Sequence, residues 1–230
     1  MSNVNKIWAK ICRRWIKFRL QPIRVFCLHH VCEEFDTGSM NKGDWMLIDE
    51  FKVKVQAMRQ DGIEFISLTD AYQHICSDFF RHEKYAVLTF DDGYASLKEI
   101  LPWLETQHIP CVLFVNGKYL DGKSYRDNPQ EKYLTKDELF QLTSPLIEIG
   151  SHGWEHIDAT KMSKSEFEES IIKTIEVLRK HHRFIPFHAY TYGCYCNHNR
   201  DVLRKYGMIS ILIDGERNYN NIDNIHRELL

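Results

Sequence analysis

The sequence predicts an α/β protein whose strands form a mainly parallel sheet closed into a barrel. Short apolar, β-rich segments alternate with helical segments along the chain, and this alternation is typical of parallel strands joined by crossover helices. About seven strand–helix units can be distinguished, and this number favours a closed barrel over an open doubly wound sheet. Two groups of polar residues follow directly after strands, where barrels carry their chemistry.

The strands and helices of the first half alternate as follows. We predict a buried strand over 22–31, a helix over 49–60 that Gly62 ends, a strand over 63–68, a helix over 69–75 and a strand over 85–90. A polar loop with two glycines separates the first strand from the first helix.

The second half continues the alternation. Ser163 begins its best-defined helix, and Glu166 completes a capping-box pattern there. The other predicted elements are a helix over 96–106, a strand over 111–115, a long loop over 117–134, a helix over 135–143, a strand over 146–149, a strand and turn over 187–192, a helix over 200–206 and a strand over 209–213.

Composition limits the class of protein. With 43% hydrophobic residues in 230, the chain can bury the core of one large domain. The formal net charge of -2 argues against a general nucleic-acid binder, which is usually strongly basic. The seven cysteines are odd in number and include no C-x-x-C pair. They indicate a reducing compartment, and we expect a cytoplasmic protein.

Residues 1–21 have a pattern of their own, apart from the domain that we assign to 22–230. Apolar residues recur there at helical spacing, and basic residues fall on the opposite side. The apolar set is Ile7, Trp8, Ile11, Trp15 and Phe18, and the basic set is Lys6, Lys10, Arg13, Arg14 and Lys17. Such a helix can lie in the interface of the inner membrane face through residues 6–20. It can equally be an ordinary helix packed on the barrel.

The first group of polar residues is the pair Asp91 and Asp92, which follows the strand over 85–90 and precedes Gly93. Adjacent carboxylates after an apolar strand are costly unless they meet cations, metal or water. Neighbours in an extended segment point in opposite directions, so one carboxylate can bind metal while the other takes a proton. The alternative is a simple turn, which Asp-Asp-Gly also favours.

The second group is the pair His152 and His156, which also follows a strand. Histidines four residues apart share one side of a helical turn and can hold the same ion. A barrel would bring both groups to one end. One carboxylate and two imidazoles leave positions open on a metal, as catalytic sites do.

Three stretches carry a resemblance to a known family, and they read LTFDDGYAS, EIGSHGWEH and FHAYTYGCY. The chain resembles the polysaccharide deacetylases of the NodB-homology type, carbohydrate esterase family four, over roughly residues 22–230. The resemblance implies a distorted, TIM-like (β/α) barrel that hydrolyses acetyl groups from sugars, usually N-acetylhexosamines. It also implies that Asp91 is the base and that Asp92, His152 and His156 bind Zn²⁺, with Co²⁺, Ni²⁺ or Fe²⁺ as alternatives.

The resemblance assigns two further roles. The backbone N–H of Tyr192 would hold the oxyanion that forms when metal-activated water attacks the acetyl group. The opening strand, PIRVFCLHHV, resembles the poly-N-acetylglucosamine deacetylase branch, in which an early histidine is the general acid. Alignment favours His29 for this role. His30 is the alternative, and it points to the other face if the strand continues.

The chain departs from the family pattern at three positions. Ala189 stands where an arginine often orients the base, Thr191 replaces a proline of the branch's Phe-Ala-Tyr-Pro-Tyr-Gly, and Gly153 replaces a serine or threonine. None of these changes removes a metal ligand. Arg227, in a segment that resembles the branch's late arginine motif, is the candidate partner for Asp91 in place of the missing arginine.

The leading functional hypothesis is therefore N-deacetylation of a carbohydrate, such as a lipid-linked or nucleotide-linked precursor in glycan biosynthesis. A second hypothesis keeps the fold but acts on O-acetyl esters or other non-peptide C–N bonds. A third is a catalytically degenerate barrel that binds glycan. The altered third motif favours the last hypothesis, whereas the intact Asp91, Asp92, His152 and His156 oppose it.

Overall fold

The computed structural model describes residues 21–33, 45–77, 82–123, 132–219 and 224–230. The helix predicted within residues 1–20 lies outside these ranges, so that helix, its membrane contact and the domain boundary stay predictions. Among the described helices, none combines the length and the apolar character needed to cross a membrane.

A ring of parallel strands forms the centre of the described structure, and it confirms the predicted barrel. The ring strands, in chain order, are β1 (Arg24–Leu28), β5 (Lys84–Phe90), β6 (Cys111–Val115), β7 (Ile147–Ser151), β8 (Phe184–Ala189), β9 (Ile209–Ile213) and β10 (Asn224–Leu229). Each strand pairs in parallel with its neighbours, and β1 closes the ring by pairing with both β5 and β10.

Three short strands lie outside the ring. β4 (Ile63–Phe65) extends the sheet beside the beginning of β5, and β2 (His30–Cys32) pairs with β3 (Trp45–Leu47) in a separate two-stranded sheet. Most of the α-helices follow a strand. The α-helices of the described residues are α1 (Ile48–Gln60), α2 (Leu68–Ser77), α3 (Leu97–Thr106), α4 (Lys136–Gln141), α5 (Lys164–Leu178) and α6 (Asn197–Lys205).

Alternate residues of the strands belong to different cores. Val87 of β5 packs in one cluster with residues of α2, whereas Leu88 packs in another with α1, α3 and α4. The side-chain period of two in a strand produces this separation. The first cluster fills the inside of the ring and the second lies under α1, α3 and α4. A third cluster, which includes Leu212 of β9, lies under α5 and α6. Thr89, Asp91 and Arg227 therefore have the inward parity, above the apolar filling.

The predicted helices and strands agree with the structure apart from some boundaries. The predicted strand 22–31 is interrupted at His29, and the strand 63–68 ends at Phe65 because Leu68 already begins α2. The predicted capping box of Ser163 and Glu166 is present at the start of α5. The strand β10 was not predicted, yet it closes the ring and carries Arg227.

Candidate active site

The polar residues singled out in the sequence meet in one cleft of about 410 Å³ at the carboxyl ends of the ring strands. This is where (β/α) barrels place their active sites, since the loops after all strands converge there. The predicted site residues that line it are His29, Asp91, Asp92, His152, His156, Tyr192 and Arg227.

A tight turn after β5 separates the two aspartates. The Asp91 N–H donates to the Leu28 carbonyl, which ties the end of β5 to β1, and the Gly93 N–H returns to the Asp91 carbonyl. Asp92 has φ 70° and Gly93 φ 80°, both left-handed. A Cβ on Gly93 would lie 2.8 Å from Val115 Cγ1, so a side chain does not fit. The turn directs Asp91 and Asp92 to different partners.

Asp92, His152 and His156 form a compact set of ligand atoms. Asp92 Oδ1 lies 3.3 Å from His152 Nε2 and 3.2 Å from His156 Nε2. One atom from each residue falls within 4.8 Å of the others. A carboxylate oxygen and two imidazole nitrogens that point at a common position are a donor set for Zn²⁺ or a similar divalent ion. The residues present therefore fit the metal that the resemblance implies.

The electrostatics of this set favour a positive charge between its members. Burial raises the pKa of Asp92, but the hydrogen bond and charge of His152, with His156, outweigh it and hold the pKa well below its usual range. Burial lowers the pKa of His152, but Asp91 and Asp92 outweigh this and raise it above its usual value. A carboxylate buried against two imidazoles requires a cation, which either protons or a metal ion can supply.

The second imidazole nitrogen of His152 is also engaged. Nδ1 lies 2.8 Å from the Ala189 carbonyl oxygen, which can only accept, so the geometry assigns the proton to Nδ1. Nε2 then faces Asp92 and the position of a metal: a protonated ring donates from it to Asp92, whereas a neutral ring offers its lone pair to an ion. The Asn116 side chain donates to the His152 carbonyl at 2.7 Å and holds the backbone of the same residue.

A buried pair beside His152 was not predicted from the sequence. Ser151 Oγ lies 3.0 Å from His188 Nδ1 and accepts from the Gly153 N–H at 3.3 Å. Ser151 and His188 are register partners in β7 and β8. Burial and the nearby His152 lower the pKa of His188 to about 3. The pair is therefore neutral near pH 7. Through the bond from the Gly153 N–H to Ser151 Oγ, it holds the backbone on both sides of His152.

Asp91 is held by a bidentate ion pair with Arg227. Arg227 Nη1 lies 2.6 Å from Asp91 Oδ1, and Nη2 lies 2.8 Å from Oδ2. Nη1 also donates to Thr89 Oγ1 at 3.0 Å. Burial raises the pKa of Asp91, but the guanidinium of Arg227, with His152, outweighs it and lowers the pKa to about 2. The carboxylate is thus ionised and fixed in orientation at neutral pH.

The two early histidines have different surroundings. His29 lines the cleft, and one of its ring nitrogens lies within 4.8 Å of a ligand atom of Asp91. His30 is buried between two rings, with centroids 3.9 Å from Trp45 and 3.6 Å from Tyr94. Its Nδ1 lies 3.1 Å from Ser96 Oγ. The geometry therefore favours His29 over His30 as the residue that can reach a substrate.

The sequence around these site residues matches a known protein family. The model of the polysaccharide deacetylase family matches residues 80–211, which is more than half of the chain. The chain belongs to the polysaccharide deacetylase family. This confirms the resemblance stated from the motifs around Asp91, His152 and Tyr192.

Relatives of this deacetylase domain share little sequence with it. The Bacillus subtilis (strain 168) protein YxkH, whose name places it among the polysaccharide deacetylases, is 22% identical over 118 residues. That alignment covers 51% of this chain and 39% of YxkH. The chain therefore matches about two fifths of the length of this curated relative.

Solved deacetylases share the fold. IcaB from Ammonifex degensii aligns with a TM-score of 0.77 and 20% identity, over 92% of this chain and 93% of its own. The Streptococcus pyogenes deacetylase PplD, in complex with acetate, aligns with a TM-score of 0.78 and 17% identity over the same shares. The BpsB deacetylase domain from Bordetella bronchiseptica gives 0.71 and 17%, over 90% of this chain and 95% of its own.

The departures from the deacetylase family pattern have local explanations. Gly153 has φ +86°, which glycine adopts without strain. The Thr191 hydroxyl donates to the Ile157 carbonyl, a bond that proline could not make, and so ties the turn after β8 to the residue that follows His156. Ala189 offers its carbonyl to His152. Arg227 reaches Asp91 from β10, so an arginine still holds this carboxylate.

Tyr192 lies at the exposed edge of the cleft. Its backbone is left-handed, with φ 57°, and its side chain is 64% exposed. Its ring meets the ring of His156 edge to face, with centroids 4.5 Å apart. Tyr192 is therefore accessible to a substrate that binds beside His156. Its role in holding an oxyanion stays a prediction.

Sequence reasoning missed five buried polar residues of the site, and they are Cys27, Thr89, Asn116, Ser151 and His188. Cys27 had a signal, since it stands two residues before His29 and thus shares its face of an extended segment. The contact between Ser151 and His188 joins residues 37 apart in sequence and follows from the pairing of β7 with β8.

Proposed function

We propose that the protein is a divalent-metal-dependent carbohydrate deacetylase that removes acetyl groups from N-acetylated amino sugars. One observation carries the proposal. The ligand set of Asp92, His152 and His156 adjoins an ionised Asp91 fixed by Arg227, and both open into the same cleft. A metal set and a separate carboxylate base in one cleft are what hydrolysis by activated water requires.

Asp92, His152 and His156 would hold the ion. When bound, a Zn²⁺ or similar ion supplies Lewis acidity to a water and to the acetyl carbonyl. Asp91 lies beside this position but is committed to Arg227 rather than to the ligand set. Asp91 and Asp92 therefore have different partners, which supports different roles for the two adjacent carboxylates.

Asp91 would accept the proton of the attacking water. A carboxylate with a pKa of about 2 is ionised at neutral pH and so is available as an acceptor. Once protonated it is strongly acidic, so it passes the proton on readily. Arg227 keeps both oxygens oriented, and this removes the need to order the base during the reaction.

His29 would protonate the leaving amine. It lines the cleft close to Asp91, whereas His30 is enclosed by aromatic rings. The backbone N–H of Tyr192, at the rim next to His156, would donate to the developing oxyanion. These two assignments complete the acid, base and oxyanion roles that acyl transfer needs.

Two competing hypotheses are weighed by the same geometry. The degenerate-barrel hypothesis rested on the missing arginine at position 189, and the contact of Arg227 with Asp91 weakens it. Action on O-acetyl esters uses the same groups, because hydrolysis of either bond needs an activated water and an oxyanion donor. The preference for N-acetyl substrates is supported by the family, and it needs a direct comparison.

The test is acetate release after the protein has been reconstituted with Zn²⁺, Co²⁺ or Ni²⁺. Oligomers of N-acetylglucosamine and matched O-acetyl sugars are compared as substrates. Asp91→Asn should abolish release yet retain the metal, and a His152→Ala, His156→Ala double variant should lose both. The controls are Asp201→Asn and His182→Ala, since both residues are exposed and lie outside the cleft.

The outcomes separate the hypotheses. Release from N-acetyl sugars alone supports the proposal, and faster release from O-acetyl sugars replaces it with an esterase. A protein that binds the metal yet releases acetate from neither class would refute the enzymatic proposal and favour a glycan-binding barrel.

A further inference from the structure

A second set of ligand atoms lies in the cleft beside the first. Cys27 Sγ, a ring nitrogen of His29 and a carboxylate oxygen of Asp91 all fall within 4.8 Å of one another. Cys27 and His29 alternate at the end of β1, so both side chains turn toward Asp91. The proposed function uses His29 and Asp91 but gives no task to Cys27.

The thiol is directed at a particular oxygen of Asp91. Cys27 Sγ lies 3.5 Å from Asp91 Oδ2, is buried, and forms no disulfide. Burial raises the pKa of the Cys27 thiol, although Arg227 opposes this. The thiol therefore keeps its proton at neutral pH until a cation displaces that proton to solvent.

The donor chemistry of this set differs from that of the first. The first set offers a carboxylate and two imidazoles, whereas the second replaces one imidazole with a sulfur. Thiolates select thiophilic ions such as Zn²⁺ and Cd²⁺ and discriminate against Mg²⁺ and Ca²⁺. A cation that binds here gains a ligand type that the first set lacks.

Arg227 is the competitor for Asp91. Its Nη2 occupies Oδ2, the oxygen next to the thiol, while Nη1 occupies Oδ1 and Thr89. A cation can therefore take Oδ2 in exchange for Nη2 while Nη1 stays in place. The positive charge of Arg227 repels such a cation, so this set should bind more weakly than Asp92, His152 and His156.

We propose that Cys27, His29 and Asp91 form a second, weaker site for thiophilic divalent cations, and that its occupancy inhibits the protein. Binding there removes the proton acceptor and the proton donor from the reaction together. The inhibition rests on the proposed function, whereas the binding does not. The alternative is that Cys27 is a small buried side chain whose thiol simply donates to Asp91.

Binding is tested with Cd²⁺ by equilibrium dialysis and by the ultraviolet absorption of Cd²⁺–thiolate bonds. The background is a chain with Cys12, Cys32, Cys76, Cys194 and Cys196 replaced by serine, which leaves only the thiols of Cys27 and of the control Cys111. In this background Cys27→Ser should lose the weaker class of bound ions and its absorption. Cys111→Ser, at a buried cysteine outside the cleft, should lose neither.

Inhibition is tested by acetate release against Zn²⁺ concentration, normalised to the maximum of each variant. Acetate release by the wild type should rise and then fall as the Zn²⁺ concentration increases. In Cys27→Ser the fall should need more than about tenfold more Zn²⁺, since even outer partners of a metal contribute about that factor.

The outcomes overturn the parts separately. The site would be refuted if Cd²⁺ stoichiometry and absorption were identical in the cysteine-depleted background with and without Cys27→Ser. Unchanged inhibition in Cys27→Ser would refute its effect. If no variant releases acetate, the proposed function fails, and dialysis with absorption still decides the inference.

Discussion

At the scale of single residues, the ion pair of Asp91 and Arg227 dominates the energetics of the site. Both side chains are almost fully buried, at 4% and 1% exposure. Burial of the two charges costs on the order of several kcal/mol for each ion. Only a close, well-oriented ion pair offsets this cost. Removing one partner is therefore far more harmful than never having had the pair.

We predict that Arg227→Met lowers stability by about 3–5 kcal/mol, because it leaves the Asp91 charge buried without its partner. Activity should fall by about 10- to 100-fold in any folded fraction. Arg227→Lys keeps the charge but loses the planar fork, so it should be intermediate in both. Urea unfolding and acetate release measure the two effects.

Arg24 provides the matched control on the adjacent strand. It pairs with Glu228 at 2.7 Å, but both side chains are partly exposed. Arg24→Met should therefore cost no more than about 1 kcal/mol. Equal losses of stability in the Arg24 and Arg227 variants would show that burial of the pair of Asp91 and Arg227 has no special importance.

A second prediction concerns His188. His188→Phe removes the bond to Ser151 Oγ and should weaken metal binding by about tenfold, as loss of an outer partner typically does. Ser151→Ala should have a similar effect, and the double variant should be little worse than either. Competition with a chelator of known affinity measures the dissociation constant.

His181 controls for the loss of a buried imidazole. It lies 3.1 Å from the Leu139 carbonyl oxygen and does not line the cleft. His181→Phe should lower stability but leave the metal dissociation constant unchanged. If both histidine variants weaken the metal equally, the pair of Ser151 and His188 has no specific positioning role.

At the scale of elements, the turn after β5 depends on the absence of a side chain at Gly93. Gly93→Ala should strain a left-handed backbone and also force Cβ against Val115. The first effect costs about 1–2 kcal/mol and the second about 1–3 kcal/mol more. Unfolding in urea measures the sum, and metal content reports the displacement of Asp92.

Gly62 separates these two effects. It has φ +77°, close to that of Gly93, but nothing lies within 4 Å of its Cβ position. Gly62→Ala should therefore show the conformational cost alone, at about 1–2 kcal/mol. A Gly93→Ala variant no less stable than Gly62→Ala would mean that the contact with Val115 relaxes freely.

The closing strand β10 is held by one buried asparagine. Asn218 donates to the His226 carbonyl at 2.7 Å and accepts from the His226 N–H at 2.8 Å. Its backbone carbonyl also accepts from the Ile23 N–H at 2.8 Å, at the start of β1. Asn218 thus joins the strand that carries Arg227 to the first strand of the ring.

We predict that Asn218→Ala destabilises the protein by about 1–3 kcal/mol, because two partly buried backbone groups of His226 lose their partner. Amide hydrogen exchange at Ile225 and Arg227 should accelerate more than that of β6. Asn197→Ala, at an exposed position, is the control. Uniform acceleration throughout the barrel would argue against a local role in β10.

At the scale of the whole molecule, the proposed metal ligands follow two separate strands, and the site joins most of the ring. Asp92 follows β5, the histidines follow β7, and β8 and β10 supply the groups that orient them. A ligand held by several strands binds only the folded state, so its binding energy adds to stability.

We predict that divalent metal raises the melting temperature and that a chelator reverses the rise. A free ion concentration of 100 times the dissociation constant adds about 2.7 kcal/mol, or roughly 5–10 °C for a chain of this size. The His152→Ala, His156→Ala variant should show no shift, while His182→Ala should keep it. Differential scanning calorimetry at ion concentrations that fill only the first site measures the effect.

The sequence by itself determined the class of fold and singled out Asp92, His152 and His156, which the structure brings together. Alternating apolar segments are a local property, since each strand and helix must bury its own face. The positions after β5 and β7 followed from the same property, because parallel strands bring their carboxyl ends to one side. The motifs around Asp91 and His152 therefore indicated the family before any contact was known.

The family resemblance offered Arg227 as a candidate partner for Asp91, but only the tertiary structure decided that Arg227, Ser151, His188 and Cys27 meet the site residues. Arg227 stands 136 residues from Asp91, and the strand that carries it lacks a strong apolar pattern because it is half polar. Ser151 reaches His188 only through the register of β7 and β8, and Cys27 reaches Asp91 only through the closure of the ring. Such contacts depend on strand order and register, which single-chain periodicity does not encode.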